Sequence, residues 1–191
     1  MTNPVTTNID ALLDRNRTFA MAGGHRGLTV MPRLRAFVVT CLDPRVEPAG
    51  FLGLEPGDAM VVRNAGGRVT PEVLLDISFI GALAEGQVPE GPLFEVAVVH
   101  HTDCGTRLLA DGGFRRRFAA RTGASEEALA HEAVVEPEST VRADVETVRE
   151  CSWLPDRVTV SGHVYDLDSG LVRTVVEASP VGSPAPTGGA A

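Results

Sequence analysis

Three residues of types that bind transition metals stand where a fold could bring them together. Cys41 ends a short apolar run, and His101 and Cys104 follow another such run as a His-x-x-Cys turn. Thiolate and imidazole are ligands that Zn²⁺ prefers, and a site with three protein ligands leaves the fourth position to water, as catalytic zinc sites do. The spacing therefore predicts a catalytic Cys2His zinc centre. The alternative is that both cysteines are inert buried thiols.

An acidic and a basic residue follow Cys41 at alternate positions, as Asp43 and Arg45. Pro44 disfavours α geometry for its predecessor, and in an extended loop alternate side chains point the same way, here towards the metal. Asp43 could accept a hydrogen bond from zinc-bound water or act as a fourth ligand, and pairing with Arg45 would hold its oxygens off the metal. The alternative is an ordinary loop ion pair, which contributes little when exposed.

Buried strands are the elements that would position these residues. Apolar runs at residues 36–40, 59–62 and 94–99 predict strands buried in a parallel sheet. Thr70 as N-cap and Pro71 at the first helical position predict a helix after the second strand. The repeated strand, loop and helix indicate an α/β fold with a mostly parallel central sheet flanked by helices, in which ligands bind at the carboxyl ends of the strands.

The pattern indicates one catalytic domain between two dissimilar ends. Residues 1–33 are predicted to form an N-terminal arm with a short helix that begins at Thr7, and residues 34–177 the α/β zinc-binding domain. The domain's later part is predicted to add helical segments and a strand pair with a glycine turn, at 107–109, 114–121, 138–150, 158–166 and 171–176. Residues 178–191, rich in Ser, Pro, Gly and Ala, predict a disordered tail.

Composition excludes several classes of partner. A chain of 191 residues that is 43% hydrophobic can bury one core, and a net charge of −8 disfavours nucleic acid as a partner. The apolar stretches are much shorter than the roughly 20 residues that span a bilayer, so no membrane segment is expected. The first residues lack a secretory signal pattern, and three cysteines cannot all pair within one chain, which together favour a cytoplasmic location.

Three motifs in order resemble the signature of the β-class carbonic anhydrases. They are Cys41-Leu42-Asp43-Pro44-Arg45, Arg63-Asn64-Ala65-Gly66 and His101-Thr102-Asp103-Cys104-Gly105. The resemblance covers roughly residues 34–176. The chain departs from the family in being short and in having His100 where many members carry glycine, which suggests a compact subgroup.

The resemblance implies reversible hydration of carbon dioxide to bicarbonate and a proton. It implies Zn²⁺ on Cys41, His101 and Cys104, a pair of Asp43 and Arg45 that controls access to the fourth position, and a homodimer or higher homo-oligomer. Amides near Gly66 could position substrate oxygen atoms, although a purely structural turn fits equally well. Hydrolysis of carbonyl sulfide or carbon disulfide, and a non-catalytic zinc- or bicarbonate-binding module, remain as alternatives.

Overall fold

Five strands form one sheet, in the spatial order β2–β1–β3–β4–β5. The structure is a computed structural model that describes residues 8–183. In chain order the strands are β1 (Ala36–Cys41), β2 (Ala59–Asn64), β3 (Glu95–His101), β4 (Thr159–Tyr165) and β5 (Val172–Pro180). The helices are α1 (Asn8–Met21), α2 (Pro48–Phe51), α3 (Pro71–Gln87), α4 (Gly112–Thr122), α5 (Glu126–His131) and α6 (Pro137–Arg149), with 3-10 turns at Ala65–Gly67 and Gly105–Ala110.

The sheet is parallel except at one edge. β1 pairs in parallel with β2 on one side and β3 on the other, and β4 continues the parallel arrangement beside β3. β5 runs antiparallel to β4, as the predicted strand pair requires. The predicted α/β class with a mostly parallel sheet is therefore confirmed, and the carboxyl ends of β1 and β3 lie side by side.

Two helices cover the sheet and close the core. The Thr70 hydroxyl accepts a hydrogen bond from the Val73 amide at 3.4 Å and Pro71 occupies the first turn, so α3 begins where the sequence predicts. The buried cluster joins β1, β3 and β4 with apolar residues of α3 and α6, among them Ile77, Val141, Val145 and Val148. This packing makes the strand ends a rigid platform for the loops that follow them.

The two ends of the chain differ in part from the prediction. Ala178–Pro180 belong to β5 and Val181 is 6% exposed, so the tail does not begin at residue 178; pairing with β4 outweighs the polar composition there. Helix α1 is present, and residues 9–21 are all exposed. The predicted cap at Thr7 and the rest of the predicted tail, 184–191, lie outside the described residues.

Candidate metal centre

Three side chains meet at the carboxyl ends of β1 and β3. Cys41 is the last residue of β1, His101 is the last residue of β3, and Cys104 follows in the turn after it. One ligand atom from each lies within 4.8 Å of the others, and all three residues are no more than 3% exposed. The structure thus brings together the three residues that the sequence singled out, in a pocket from which bulk water is largely excluded.

The imidazole of His101 is oriented for a metal. Its Nδ1 lies 2.8 Å from the carbonyl oxygen of Thr102, which can only accept, so Nδ1 carries the hydrogen and Nε2 keeps its lone pair. Nε2 is buried and has no hydrogen-bond partner within residues 8–183. A buried polar atom without a partner is costly, and a carbonyl on the other ring nitrogen is the usual arrangement behind a metal-binding histidine. The residues therefore fit Zn²⁺.

The two cysteines are thiols that share their charge. Their Sγ atoms lie 4.0 Å apart, and neither residue forms a disulfide. Hydrogen bonding with Cys104 and then burial raise the pKa of Cys41, whereas hydrogen bonding with Cys41 lowers the pKa of Cys104 despite its burial. The pair thus favours a state with one thiolate, and a bound cation would favour two.

A hydroxyl supports the second cysteine. Thr106 Oγ1 lies 3.2 Å from Cys104 Sγ, and the same oxygen accepts a hydrogen bond from the Val134 amide at 3.3 Å. Because that oxygen accepts from the amide, the hydroxyl hydrogen is available for the sulfur. Thr106 therefore stabilises a thiolate at Cys104 and fixes its rotamer.

Asp43 and Arg45 form a two-point ion pair beside the thiols. Arg45 Nε and Nη2 donate to the two oxygens of Asp43 at 3.0 and 2.7 Å. The side-chain hydrogen bond from Arg45 lowers the pKa of Asp43 to about 2, so the carboxylate is ionised throughout the neutral range. Both carboxylate oxygens are thus engaged by the guanidinium.

The loop that carries this pair turns sharply after Asp43. The Val46 amide donates to the Asp43 carbonyl and the Arg45 amide to Asp43 Oδ1, each at 2.9 Å. The expectation of an extended loop is therefore wrong beyond Asp43, because an aspartate side chain readily closes a turn on the amide two residues on. Arg45 still reaches Asp43, although its side chain is half exposed.

Two residues outside the predicted site hold its loops. Arg63 donates from Nε to the Cys41 carbonyl at 3.0 Å and from Nη2 to the Asp43 carbonyl at 2.9 Å, so it braces the segment between them. Asp103 accepts from Arg45 Nη1 at 2.9 Å and also pairs with Arg107. Arg63 and Asp103 lie within the recognised motifs, yet spacing alone does not show which atoms they bind.

The glycine turn between β2 and α3 packs directly against the ligand segments. A Cβ on Gly67, whose φ is +68°, would lie 2.8 Å from the Cys41 amide nitrogen. A Cβ on Gly66, whose φ is +87°, would lie 3.2 Å from Thr106 Oγ1. The described contacts of Gly66 are thus with the supports of the cysteines, and its role towards substrate stays a prediction.

A cavity opens beside the ion pair. Its volume is about 730 Å³, and its lining residues are Arg45, Thr102, Asp103, Arg107, Tyr165, Leu167 and Asp168. The Tyr165 ring stacks on Phe51 of α2 with ring centroids 4.3 Å apart, which fastens the loop after β1 to the sheet. The cavity gives a small molecule an approach to the Asp43–Arg45 pair.

Comparison with known proteins places the whole arrangement among related sequences. Residues 36–172 match the sequence model of the carbonic anhydrase family. The chain is 27% identical over 155 residues to beta-carbonic anhydrase 1 of Mycobacterium tuberculosis, covering 81% of this chain and 90% of that protein. It is also 27% identical to the carbon disulfide hydrolase of an Acidianus species, covering 88% and 89% of the two chains.

The fold agrees with the sequence comparison. The crystal structure of a carbonic anhydrase from Streptococcus mutans superposes with a TM-score of 0.73 and 31% identity, covering 90% of this chain and 99% of that one. The apo form of a carbon disulfide hydrolase superposes with a TM-score of 0.59 and 28% identity. The similarity therefore spans the sheet and the segments that carry all three ligand candidates.

Proposed function

We propose that this chain, a carbonate dehydratase of the β-class carbonic anhydrase family, catalyses the zinc-dependent reversible hydration of carbon dioxide. The observation that carries the proposal is the buried group of Cys41, His101 and Cys104, in which His101 Nε2 has no hydrogen-bond partner among the described residues. Bound there, Zn²⁺ would lower the pKa of a water molecule towards neutrality and so provide a nucleophile without strong base.

Asp43 orients the attacking water rather than taking its proton. A carboxylate whose pKa is about 2 is too weak a base to hold a proton at neutral pH, but it remains a strong hydrogen-bond acceptor. Arg45 holds both its oxygens, so Asp43 presents its remaining lone pairs to the water and stays off the metal. The fourth-ligand role of Asp43 would require this ion pair to break.

The overall step adds water to carbon dioxide and releases one proton. An oxygen of the water bonds to the carbon, one carbon–oxygen double bond becomes single, and the proton leaves to solvent or buffer. The cavity beside the ion pair is lined by two arginines, Arg45 and Arg107, and by two aspartates, Asp103 and Asp168. The guanidinium groups are already paired with Asp43 and Asp103, so the cavity offers an approach to the site without a net charge that selects anions.

Stopped-flow hydration by zinc-loaded protein tests the proposal. We expect carbon dioxide hydration well above the buffer rate between pH 6.5 and 9, with activity lost on chelation and restored by Zn²⁺. A rate equal to that of buffer, from protein that holds one zinc per chain, would reject carbon dioxide as the substrate.

Carbon disulfide or carbonyl sulfide is the second candidate substrate, because carbon disulfide hydrolases are among the relatives. These molecules are linear electrophiles like carbon dioxide, so the same water and the same Asp43 would serve. Sulfide release by zinc-loaded protein separates the two substrates. Sulfide production with no carbon dioxide hydration would favour this candidate. A non-catalytic module, by contrast, has no evident use for the Asp43–Arg45 pair.

We further propose a homo-oligomer, at least a dimer, in the cytoplasm. Residues 9–21 of α1 are all exposed, including Ile9, Leu12 and Leu13 at about half of their surface. An isolated helix of this length is marginal in water, so a second copy of the chain that covers it would explain its stability.

Thiols at all three cysteines support a reducing compartment. Within residues 8–183, no helix is long and apolar enough to span a membrane.

A further inference from the structure

A buried ionic cluster adjoins the strand ends that carry the ligand candidates. It consists of Arg68 after the glycine turn, His100 in β3 and Asp144 in α6, and the three side chains are at most 5% exposed. In the sequence, His100 stands out only as a departure from the family pattern, and Asp144 lies in none of the three motifs. The proposed reaction assigns no role to any of these three residues.

Asp144 is the centre of the cluster. Its oxygens accept from Arg68 Nε at 2.8 Å and Nη2 at 2.9 Å, from His100 Nε2 at 3.0 Å, and from the Val69 amide at 3.3 Å. Burial acts to raise the pKa of Asp144, but hydrogen bonds from His100 and Arg68 outweigh it and lower the pKa below its ordinary value. A buried charge that collects four donors fixes the relative positions of the segments that supply them.

The first of these segments is the glycine turn, which touches Cys41. Asn64 closes the turn with both ends of its amide, accepting from the Arg68 amide and donating to the Arg68 carbonyl, each at 2.8 Å. Inside the closed turn, Gly67 lies so near the Cys41 amide that no Cβ would fit. Holding Arg68 therefore holds the backbone of Cys41.

The same turn reaches the support of Cys104. Gly66 lies so close to Thr106 and Val134 that a Cβ on it would be 3.2 and 3.3 Å from their side chains, and Thr106 hydrogen bonds to the Cys104 sulfur. Arg68 also donates from Nη1 to the carbonyl of His131, at the end of α5. Arg68 thus ties together the turn and the segment that packs over Cys104.

The other segment is the end of β3, which carries His101. His100 points towards α6 and Asp144, and because successive strand residues alternate, His101 points to the other face. The hydrogen bond from His100 to Asp144 therefore fixes the rotation of the strand end that presents His101. Each of the three ligand candidates is therefore connected to the Asp144 carboxylate through a short series of contacts.

We propose that Arg68, Asp144 and His100 form a positioning cluster that sets the spacing of Cys41, His101 and Cys104 for the metal ion. The cluster touches neither metal nor substrate. It rests on the metal-binding part of the proposed function and not on the choice of substrate. Loss of the cluster should loosen the metal while leaving every ligand in the chain.

Asp144→Asn is the sharpest test, because the amide keeps the size of the side chain but puts a donor where donors already converge. Zinc-loaded protein is used to measure the rate at which the metal dissociates into a chelator. Cobalt-loaded protein is used to record the visible absorption spectrum of the bound metal. We expect zinc to leave about 10–100-fold faster, as when residues that orient metal ligands are lost, and the cobalt bands to shift.

Arg149→Gln supplies the matched control. Arg149 is a buried charge on the same helix, 4% exposed, and it donates to Glu146 at 2.5 Å and to Ser179 at 2.6 Å. It lies at the carboxyl end of α6, whose last carbonyl accepts from Gly182 beyond β5. This variant should lower the unfolding temperature yet leave zinc dissociation and the cobalt spectrum unchanged. If Asp144→Asn behaves in the same way, the cluster is merely structural and the proposal is overturned.

Arg68→Lys provides a second test of the proposal if Asp144→Asn does not fold. Lysine keeps the charge but cannot donate through two nitrogens to one carboxylate, so the metal readouts should change in the same direction by less. If neither variant folds, the cluster serves folding and the proposal fails. An unsubstituted chain that binds neither Zn²⁺ nor Co²⁺ also overturns it, whereas one that binds metal without hydrating carbon dioxide rejects only the proposed substrate.

Discussion

At the scale of residues, the chemistry depends on groups that are remote in sequence. Cys41 and Cys104 are separated by 63 positions, and their sulfurs lie 4.0 Å apart. Their types and their places at predicted strand ends were sufficient to name them, because parallel neighbouring strands end at one edge. Thr106 was not predicted, since a hydroxyl two residues beyond a cysteine is common and only the fold shows that it reaches the sulfur.

Removal of one sulfur should remove the metal. Cys104→Ala leaves two of the three ligands, so we expect its zinc affinity to fall by more than the roughly 100-fold seen when a supporting residue is lost. Elemental analysis of the purified variant measures this directly. Cys151→Ala is the control, because Cys151 is a free thiol outside the ligand group. Equal zinc in Cys104→Ala and the unsubstituted chain would exclude Cys104 as a ligand.

Loss of the orienting carboxylate should separate metal binding from turnover. Asp43→Ala should keep zinc, since Asp43 is held by Arg45, and should lower kcat by about 100-fold or more, as removal of one fixed polar partner in an active site does. The control is Leu42→Ala, an exposed neighbour in the same loop. Stopped-flow assays compare the three proteins. Full activity in Asp43→Ala would show that the carboxylate has no part in the reaction.

At the scale of elements, the turn between β2 and α3 determines how close the ligand segments come. The sequence predicted a tight turn from its two glycines, but not that Gly67 packs on Cys41 or that Arg68 enters a buried cluster. The first contact is with the end of β1, and the second is with Asp144 of α6, which lies 76 positions after Arg68. Local pattern shows the shape of a turn, and only tertiary structure shows what the turn touches.

A side chain on Gly67 should disrupt this approach. Gly67→Ala combines a positive φ with a Cβ 2.8 Å from backbone atoms of Thr40 and Cys41, so its cost should exceed the roughly 1–2 kcal/mol of left-handed geometry alone. Gly170→Ala is matched in φ, at +71°, but its Cβ would meet nothing within 4 Å. Urea unfolding of both variants measures the difference. Equal losses would contradict the close packing.

Removal of the buried carboxylate should cost stability in a pH-dependent way. Asp144→Ala strands Arg68, and breaking a buried ion pair typically costs about 3–5 kcal/mol. The native pKa of Asp144 lies below its ordinary 3.8, so the stabilisation is complete above that pH and is lost as pH falls through the native pKa. Denaturant unfolding should show the two proteins differing most near pH 7 and converging below pH 4. A pH-independent difference would contradict the ionised pair.

At the scale of the whole molecule, the sheet was the best predicted feature and the ends the least. The runs at 36–40, 59–62 and 94–99 correspond to β1, β2 and β3. β1 and β3 are buried within the sheet, as such runs indicate, whereas β2 lies at the edge and none of its residues is buried. β5 continues to Pro180 through residues whose composition suggested a tail, because pairing with β4 decides the matter there. The apolar pattern of α1 predicted a helix but could not show that the chain itself leaves it uncovered.

A charged side chain on the exposed apolar face of α1 should dissociate the proposed dimer. Leu13→Glu places a charge on an apolar position that is 46% exposed, so burial against a second copy would become unfavourable. Analytical ultracentrifugation should show a dimer or larger assembly for the unsubstituted chain and a shift to monomer for the variant. Asn16→Glu, on the same exposed helix, should leave the assembly intact. A monomeric unsubstituted chain would contradict the proposal.

Zinc K-edge X-ray absorption on purified, zinc-loaded protein would identify the ligands, because it reports the atoms around the ion without reference to substrate. We expect one zinc per chain with two sulfurs at about 2.3 Å and one imidazole nitrogen at about 2.0 Å, the remaining position being filled by a light atom. A shell without sulfur, or protein that binds no stoichiometric zinc, would contradict the assignment of Cys41, His101 and Cys104.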